Sequence, residues 1–436
     1  MTTQIDRRRF LQAGLAAGVL APLLAACNLD PAAKEAKNSV RFSSYGDPTK
    51  LGLRSKLADK YTATHQNVKM VFEGTATAEY WDKLATQMAG GNAPDVINID
   101  APRIGQYGAA GALQSLQKYI PDTIDTKPID HNLLVQGQLK GEQFGIPIAM
   151  STYSIGYDVT VLDQLGLEHP KPTWTWAEYA TLANQIRQKS GKKIYGAEDP
   201  SGDTASLQIF LRGKGEDLYK DGSLAFTDAS LTEWFEYWAA LRATGGTIPA
   251  DIAAQAVYGD WPNGPLVKKQ AALAHIQTPN LKGGFQDLTD HTIDITLPPR
   301  HTKAGKCGTF PAPSSFLSLN AKSQRLDDAA AFINWFANGA DAAKTLRLIS
   351  GPPASSEGRD VLVKGSDLSA SEKQVLAYTD LALKNSSPPP QASPAASTAV
   401  GDLLLKVSQD IAFNKISIKQ GVPKFMADAA KTLDGK

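Results

Sequence analysis

A chain of 436 residues with 45 lysines and arginines against 44 acidic residues, a net charge of +1, has no electrostatic footprint for nucleic acid. That length is too great for one compact core, so two domains are expected. Six histidines in no metal-binding spacing, no Gly-x-Ser-x-Gly elbow and no phosphate-binding loop leave no motif for metal, nucleophilic or phosphoryl chemistry.

The first thirty residues carry an export pattern. Arg7, Arg8 and Arg9 precede Phe10 and Leu11, and an uncharged run over 13–26 ends in Leu24-Ala25-Ala26-Cys27. A basic start, an apolar run and small residues before a cut site describe a secretory signal. The run is shorter than the about 20 residues a spanning helix needs. Paired arginines before Phe-Leu are similar to the twin-arginine export address. Leu-Ala-Ala-Cys is similar to the bacterial lipobox, in which Cys27 is lipidated and becomes the new N-terminus. The competing reading is a buried apolar helix with an incidental cysteine; the joint offsets of arginines, run and cysteine favour the signal. Residues 1–26 are therefore expected to be an export signal, and 27–38 a lipidated cysteine with its tether. Lipid consumes Cys27, so Cys307 stands alone and is expected to be a packed thiol, not a nucleophile.

The folded part begins with an alternating strand, Val40-Arg41-Phe42-Ser43, and a turn at Tyr45-Gly46-Asp47-Pro48. A helix is predicted over 49–64 and a second strand over 68–72. Tyr80, Trp81, Leu84 and Met88 recur at helical spacing until Gly90-Gly91 stops them. A third strand is predicted over 95–100. Strand, helix, strand, helix, strand is the grammar of a parallel α/β sheet. Farther on, helices are predicted over 176–189 and around Leu231, Trp234, Phe235, Trp238 and Leu241, the second stopped by Gly245-Gly246. Strands are predicted over 271–276, 293–297 and 316–320. A helix over 327–338 carries Phe332, Trp335 and Phe336 on one side. The Ser/Pro/Ala-rich stretch 386–397 reads as an irregular surface loop. No internal repeat is visible.

Landmarks now fall in one family's order. Tyr80-Trp81-Asp82-Lys83-Leu84 and Ala89-Gly90-Gly91-Asn92-Ala93-Pro94-Asp95-Val96 come first, then 107–113 and Phe144-Gly145-Ile146-Pro147. Gly166-Leu167 with Pro172-Thr173-Trp174-Thr175-Trp176, then Lys269-Gln270-Ala271-Ala272-Leu273, Leu297-Pro298 and 329–336 complete the set. The chain resembles the family-1 extracellular solute-binding proteins, the maltose-binding type, over nearly all of the segment after the signal. It departs from that pattern at Gly156-Tyr157-Asp158, and at Gln277-Thr278-Pro279-Asn280, where a common sugar-stacking tryptophan is missing. The resemblance implies an α/β, two-lobed periplasmic-binding-protein fold of type II, with discontinuous lobes joined by hinge strands. Lobe I is expected over 39–148 plus 314–345, lobe II over 149–313 plus 346–436. It further implies a sugar or oligosaccharide held between the lobes and delivered to the permease of an ABC importer. The protein would be a monomer outside the cytoplasm, anchored to the membrane by lipid on Cys27, and would need no cofactor or metal.

A sugar offers hydroxyls and an apolar ring face, so its site needs polar side chains and planar aromatics. Ligands of open α/β sheets lie outside the carboxyl ends of the strands. The residues there are Tyr45 and Asp47 after the first strand, Glu73, Thr75 and Thr77 after the second, and Asp100 after the third. Gln277 and Asn280 follow the 271–276 strand. Met150, Ser151 and Tyr153 adjoin the hinge, and Trp261 lies in a polar Gly/Pro-rich loop. Each has a plainer reading: Asp100 caps a helix, Asp47 makes a turn, and Trp261 packs. Trp81, Trp234, Trp238 and Trp335 lie on helical stripes and are expected in the core, and Trp174 packs its helix. Two alternatives stay open: the same fold holding a peptide, polyamine or ion, and a secreted glycosidase with two hidden carboxylates.

Overall fold

A computed structural model describes residues 39–256, 260–365, 367–391 and 393–435. The expected export residues Arg7, Arg8, Phe10 and Leu11, the lipidation site Cys27 and the tether lie outside the described residues.

The first half builds a sheet from β1 (Ser39–Tyr45), β2 (Lys69–Thr75), β3 (Val96–Ile99), a two-residue β4 (Leu113–Gln114) and β5 (Ile146–Ser151). A second sheet holds β6 (Tyr153–Asp158), β7 (Tyr195–Ala197), β8 (Ala271–Gln277) and β9 (Ile293–Thr296); β10 (Ala312–Asn320) returns to the first. The first sheet runs β2-β1-β3-β10, with β4 and β5 both on the far edge of β10. β1 is parallel to β2 and β3, and β10 is antiparallel to β3. The second runs β9-β6-β8-β7, with β6 antiparallel to both neighbours and β7 parallel to β8.

Local chemistry sets the helices. α1 (Pro48–Thr64) begins where the Asp47 side chain accepts from Lys50 N, with proline in the first turn. α2 (Thr77–Ala89) follows β2, and α3 (Ala101–Ala109) is capped by Asp100. α4 (Trp176–Lys189) opens on a reciprocal cap between Thr175 and Glu178. α5 (Asp228–Thr244) ends at Gly245, whose φ of 73° is left-handed, as a helix terminus needs. α6 (Leu326–Asn338) follows β10. Four helices past residue 346 have no counterpart among the expected elements: α7 (Ser356–Gly365), α8 (Ala370–Asn385), α9 (Ser397–Ala412) and α10 (Ile418–Leu433). The stretch between α8 and α9 carries no regular element among its described residues.

Each sheet has its own core. Val40, Phe42, Leu57, Tyr61, Val96 and Phe332 fill the first, with Phe42 and Phe332 rings 5.2 Å apart. Trp176, Phe210, Trp234 and Trp238 dominate the second; Trp234 and Trp238 are fully buried, 5.4 Å apart. A third cluster joins Ile276, Leu281, Phe285 and Tyr378 to Cys307, whose thiol burial pushes up, as a packed sulfur requires. Two expected core tryptophans are corrected: Trp81 and Trp335 are only partly buried, each packed on the edge of a core. Trp174 is buried and donates its Nε1 proton to Leu297 O at 2.7 Å. Ala354, beyond residue 345, packs in the first core.

Three chain segments link the sheets. β5 passes directly into β6 through Thr152, the 297–311 stretch leads from β9 to β10, and the stretch around 348–353 leads toward the C-terminal helices. Met150 N donates to Pro352 O at 2.9 Å, and Thr152 and Thr278 hydrogen-bond reciprocally, at 3.0 and 3.1 Å. Among the described residues no helix is long and apolar enough to cross a membrane.

Candidate functional site

These links floor a groove of about 420 Å³. Ser151 comes from the end of β5, Tyr153 from the start of β6 and Gln277 from the end of β8. Tyr153 and Gln277 are paired across the sheet because β6 and β8 are antiparallel. Gln277 Nε2 donates to the Tyr153 hydroxyl at 2.6 Å. Gln277 Oε1 remains an acceptor that faces the groove. Phe310 supplies an aromatic ring, with the Arg212 guanidinium over it at 5.0 Å from the ring centre. Across the groove stand Lys50, from the first turn of α1, and Ser350. Ser314 Oγ donates to Ser350 O at 2.6 Å, tying the start of β10 to the third linking segment.

The other expected site residues fall into three groups. Tyr45 and Asp47 lie beside Lys50, and Asp100 acts on Tyr45, although none of the three lines the groove itself. The Lys50 ammonium lies 5.7 Å from the Tyr45 ring centre. Tyr45 packs on Tyr80 and Trp81 at 5.0 and 5.2 Å, and burial, with the Asp100 charge, raises its phenol. Asp47 and Asp100 both cap helices, accepting from Lys50 N at 3.0 Å and Arg103 N at 3.1 Å. Their environments differ: the Lys50 amide lowers the Asp47 carboxyl, whereas burial raises that of Asp100.

The second group is already engaged. Glu73 pairs with Arg41 at 2.6 Å and accepts from Gln87 at 3.1 Å. Thr75 accepts from Lys83 at 3.3 Å, and Thr77 is an exposed first residue of α2. Met150 is 1 % exposed within the first core. The third group lies beyond the groove. Trp261 rests on Phe285, 5.2 Å between rings, at the edge of the third cluster. Asn280 sits in a one-turn helix after Gln277.

Lys50, Phe310, Ser314 and Ser350 were not among the expected residues. Lys50 follows Asp47 by three residues in a helix's first turn, where a lysine reads as solvated. Phe310 and Ser314 flank the start of β10, and only the antiparallel return of that strand brings them to Ser151. Among the described residues no three histidine, cysteine, aspartate or glutamate side chains converge on a point that could hold a metal.

The sequence over residues 56–366 matches the family described as bacterial extracellular solute-binding proteins. A lactose-binding protein of Rhizobium radiobacter is 24 % identical over 185 residues, 41 % of this chain and 42 % of that one. A chain of Streptomyces antibioticus described as an uncharacterized lipoprotein is 25 % identical over 207 residues, 46 % of this chain and 45 % of that one. The matches thus span less than half the length of these curated relatives. Among solved structures, an extracellular solute-binding protein family 1 member from Alicyclobacillus acidocaldarius is similar with a TM-score of 0.81 and 26 % identity, covering 91 % of this chain and 98 % of that chain.

Proposed function

The chain belongs to the bacterial extracellular solute-binding proteins, with their type II two-lobed fold, and we propose that it captures a sugar or oligosaccharide in the groove between its two sheets. The observation that carries this reading is the groove's composition. Hydroxyls and an amide from both sheets and the linking segments converge around the aromatic rings of Phe310 and Tyr153. That is the complement of a sugar, whose hydroxyls need donors and acceptors and whose ring face needs a flat apolar partner. The lactose-binding relative supports the same class of solute. Tyr45, Asp47 and Asp100, at the ends of β1 and β3, belong to this reading as residues that meet the sugar when the lobes close.

The limits 39–148 plus 314–345 for lobe I and 149–313 plus 346–436 for lobe II accompany this reading. So do a monomeric state, delivery to an ABC importer permease, and a lipid on Cys27 that holds the protein outside the cytoplasm. The lipobox and a lipoprotein relative support the anchor. The protein returns its solute unaltered: Asp47 and Asp100 are engaged as helix caps, and among the described residues the groove wall carries no carboxylate pair.

The test is calorimetric titration of a sugar that binds, against wild type, Gln277→Ala and Tyr153→Phe, with chromatography of the recovered sugar. Each variant should lose about five- to thirtyfold in affinity, as removal of one or two hydrogen bonds implies. Unchanged affinity in both variants would place the solute elsewhere, and a chemically altered sugar would make the protein an enzyme.

A further inference from the structure

The groove has a sign. Lys50 lines its wall and, among the described residues, no aspartate or glutamate does. The Lys50 stem lies over Gly46, where a Cβ would come within 2.8 Å of Lys50 Cδ, so a glycine is needed for the lysine to lie as it does. Asp47, the acid that acts on Lys50, already accepts from its backbone amide. One helical turn on, Arg54 is fully buried. Its guanidinium donates to Asn98 Oδ1 at 2.7 Å, to Tyr45 O at 3.3 Å and to Ser44 Oγ, and reaches Ser350 Oγ on the groove wall at 3.5 Å. Every one of those acceptors is neutral, and Arg54 Nε has no partner. A buried cation without an ion pair is costly unless something else needs its charge. Lys50 on the wall and Arg54 buried one turn behind it, in low-dielectric surroundings, focus a positive potential into the groove. The same charges repel a polyamine.

We propose that the groove takes an acidic sugar, a uronate, with its carboxylate seated on Lys50 and held in the field of Arg54. This rests on the sugar reading above. Burial, and then the Arg54 charge, bring the Lys50 ammonium down to about 8, so an arriving carboxylate both gains a partner and raises that lysine again. The groups that face it are Asp47 and Arg54 on its own helix, Tyr45 on β1 and Tyr153 across the groove. Above pH 8 the free lysine loses its proton, and uronate affinity should fall by up to about tenfold per pH unit while neutral-sugar affinity stays level.

The experiment titrates the purified protein calorimetrically with matched pairs: glucose, galactose, mannose and their β-linked disaccharides, each beside its uronate. The expected result is a uronate bound at least tenfold tighter than its neutral parent at pH 7. Lys50→Met should abolish that preference with no change in melting temperature, Lys50→Arg should keep it, and the wild-type preference should shrink by pH 9.5. A neutral parent bound as tightly as its uronate overturns the acidic-sugar proposal and leaves the sugar reading standing. So does a uronate preference that Lys50→Met preserves. Binding of no member of any pair removes both.

Discussion

Single residues differ in how deeply they are committed to the fold, and stability measurements read that depth. Trp234 is fully buried and donates Nε1 to Ser201 O at 3.0 Å. Trp234→Ala should cost about 3–5 kcal/mol, the usual penalty for deleting a buried aromatic. Trp335, half-buried on the face of α6, should cost clearly less, and paired denaturant melts separate the two. Glu198 supplies a pH-dependent case. Burial pushes its carboxyl up to about 7, against which the Leu266 amide, donating at 3.3 Å, pulls only weakly. The folded state therefore holds a proton that the unfolded chain gives up near its ordinary value. The stability this contributes is fully present below that ordinary value and is lost as pH rises through 7. The opposite holds for His275, which burial lowers to about 3, so its contribution is lost as pH falls. The two oppose each other in wild type, so the comparison must be made against Glu198→Gln. Relative to that variant, wild type should lose up to about 3 kcal/mol between pH 4.5 and 7.5. A pH-independent difference would mean that Glu198 ionises normally in the fold.

Helix caps and strand ends were the most legible elements, because the signals are local. Asp-Pro at 47–48 and Asp-Ala-Pro at 100–102 start helices where capping chemistry says they should. Gly156-Tyr157-Asp158, a departure from the family pattern, has its reason here too. Asp158 is fully buried, accepts from Val161 N at 2.9 Å to cap the short helix Val159–Gln164, and bonds His291 Nδ1 at 2.6 Å. Asp158→Ala should cost about 1–3 kcal/mol, and Asp158→Asn, which keeps the cap acceptor, well under half of that. Equal losses would show that the His291 contact, not the cap, is what matters. Periodicity was less informative about depth. It put Trp81 and Trp335 on apolar stripes, but how far a stripe sinks depends on what packs over it, which is tertiary. The C-terminal helices had a signal in the three- and four-residue spacing of Val400, Leu404, Val407 and Ile411, and of Val422, Phe425 and Ala429. Groove residues divided along the same line. Ser151, Tyr153 and Gln277 sit at strand ends or hinges and could be found from local pattern. Lys50 reads locally as a solvated lysine in a first helical turn, while Phe310 and Ser314 reach the groove only through the return of β10 and Ser350 through the third linking segment, which no local pattern records.

With the proposed solute held between two separately cored sheets, ligand binding and stability become one equilibrium. The proposed lipid anchor is separable from it: Cys27 precedes β1 by a dozen residues, so Cys27→Ala should release the protein from membranes and leave its melting temperature unchanged. Retention of an uncleaved precursor in the membrane fraction would show that the signal itself anchors the chain. The most direct test of the central claim is the thermal melt of the purified protein across a panel of neutral and acidic mono- and oligosaccharides, peptides, polyamines and metal ions. A sugar at a hundred times its dissociation constant should stabilise the fold by about 2.7 kcal/mol, and the Gln277→Ala variant should need more of it for the same shift. A melt that no sugar moves, but that a peptide, a polyamine or an ion raises, would contradict the account.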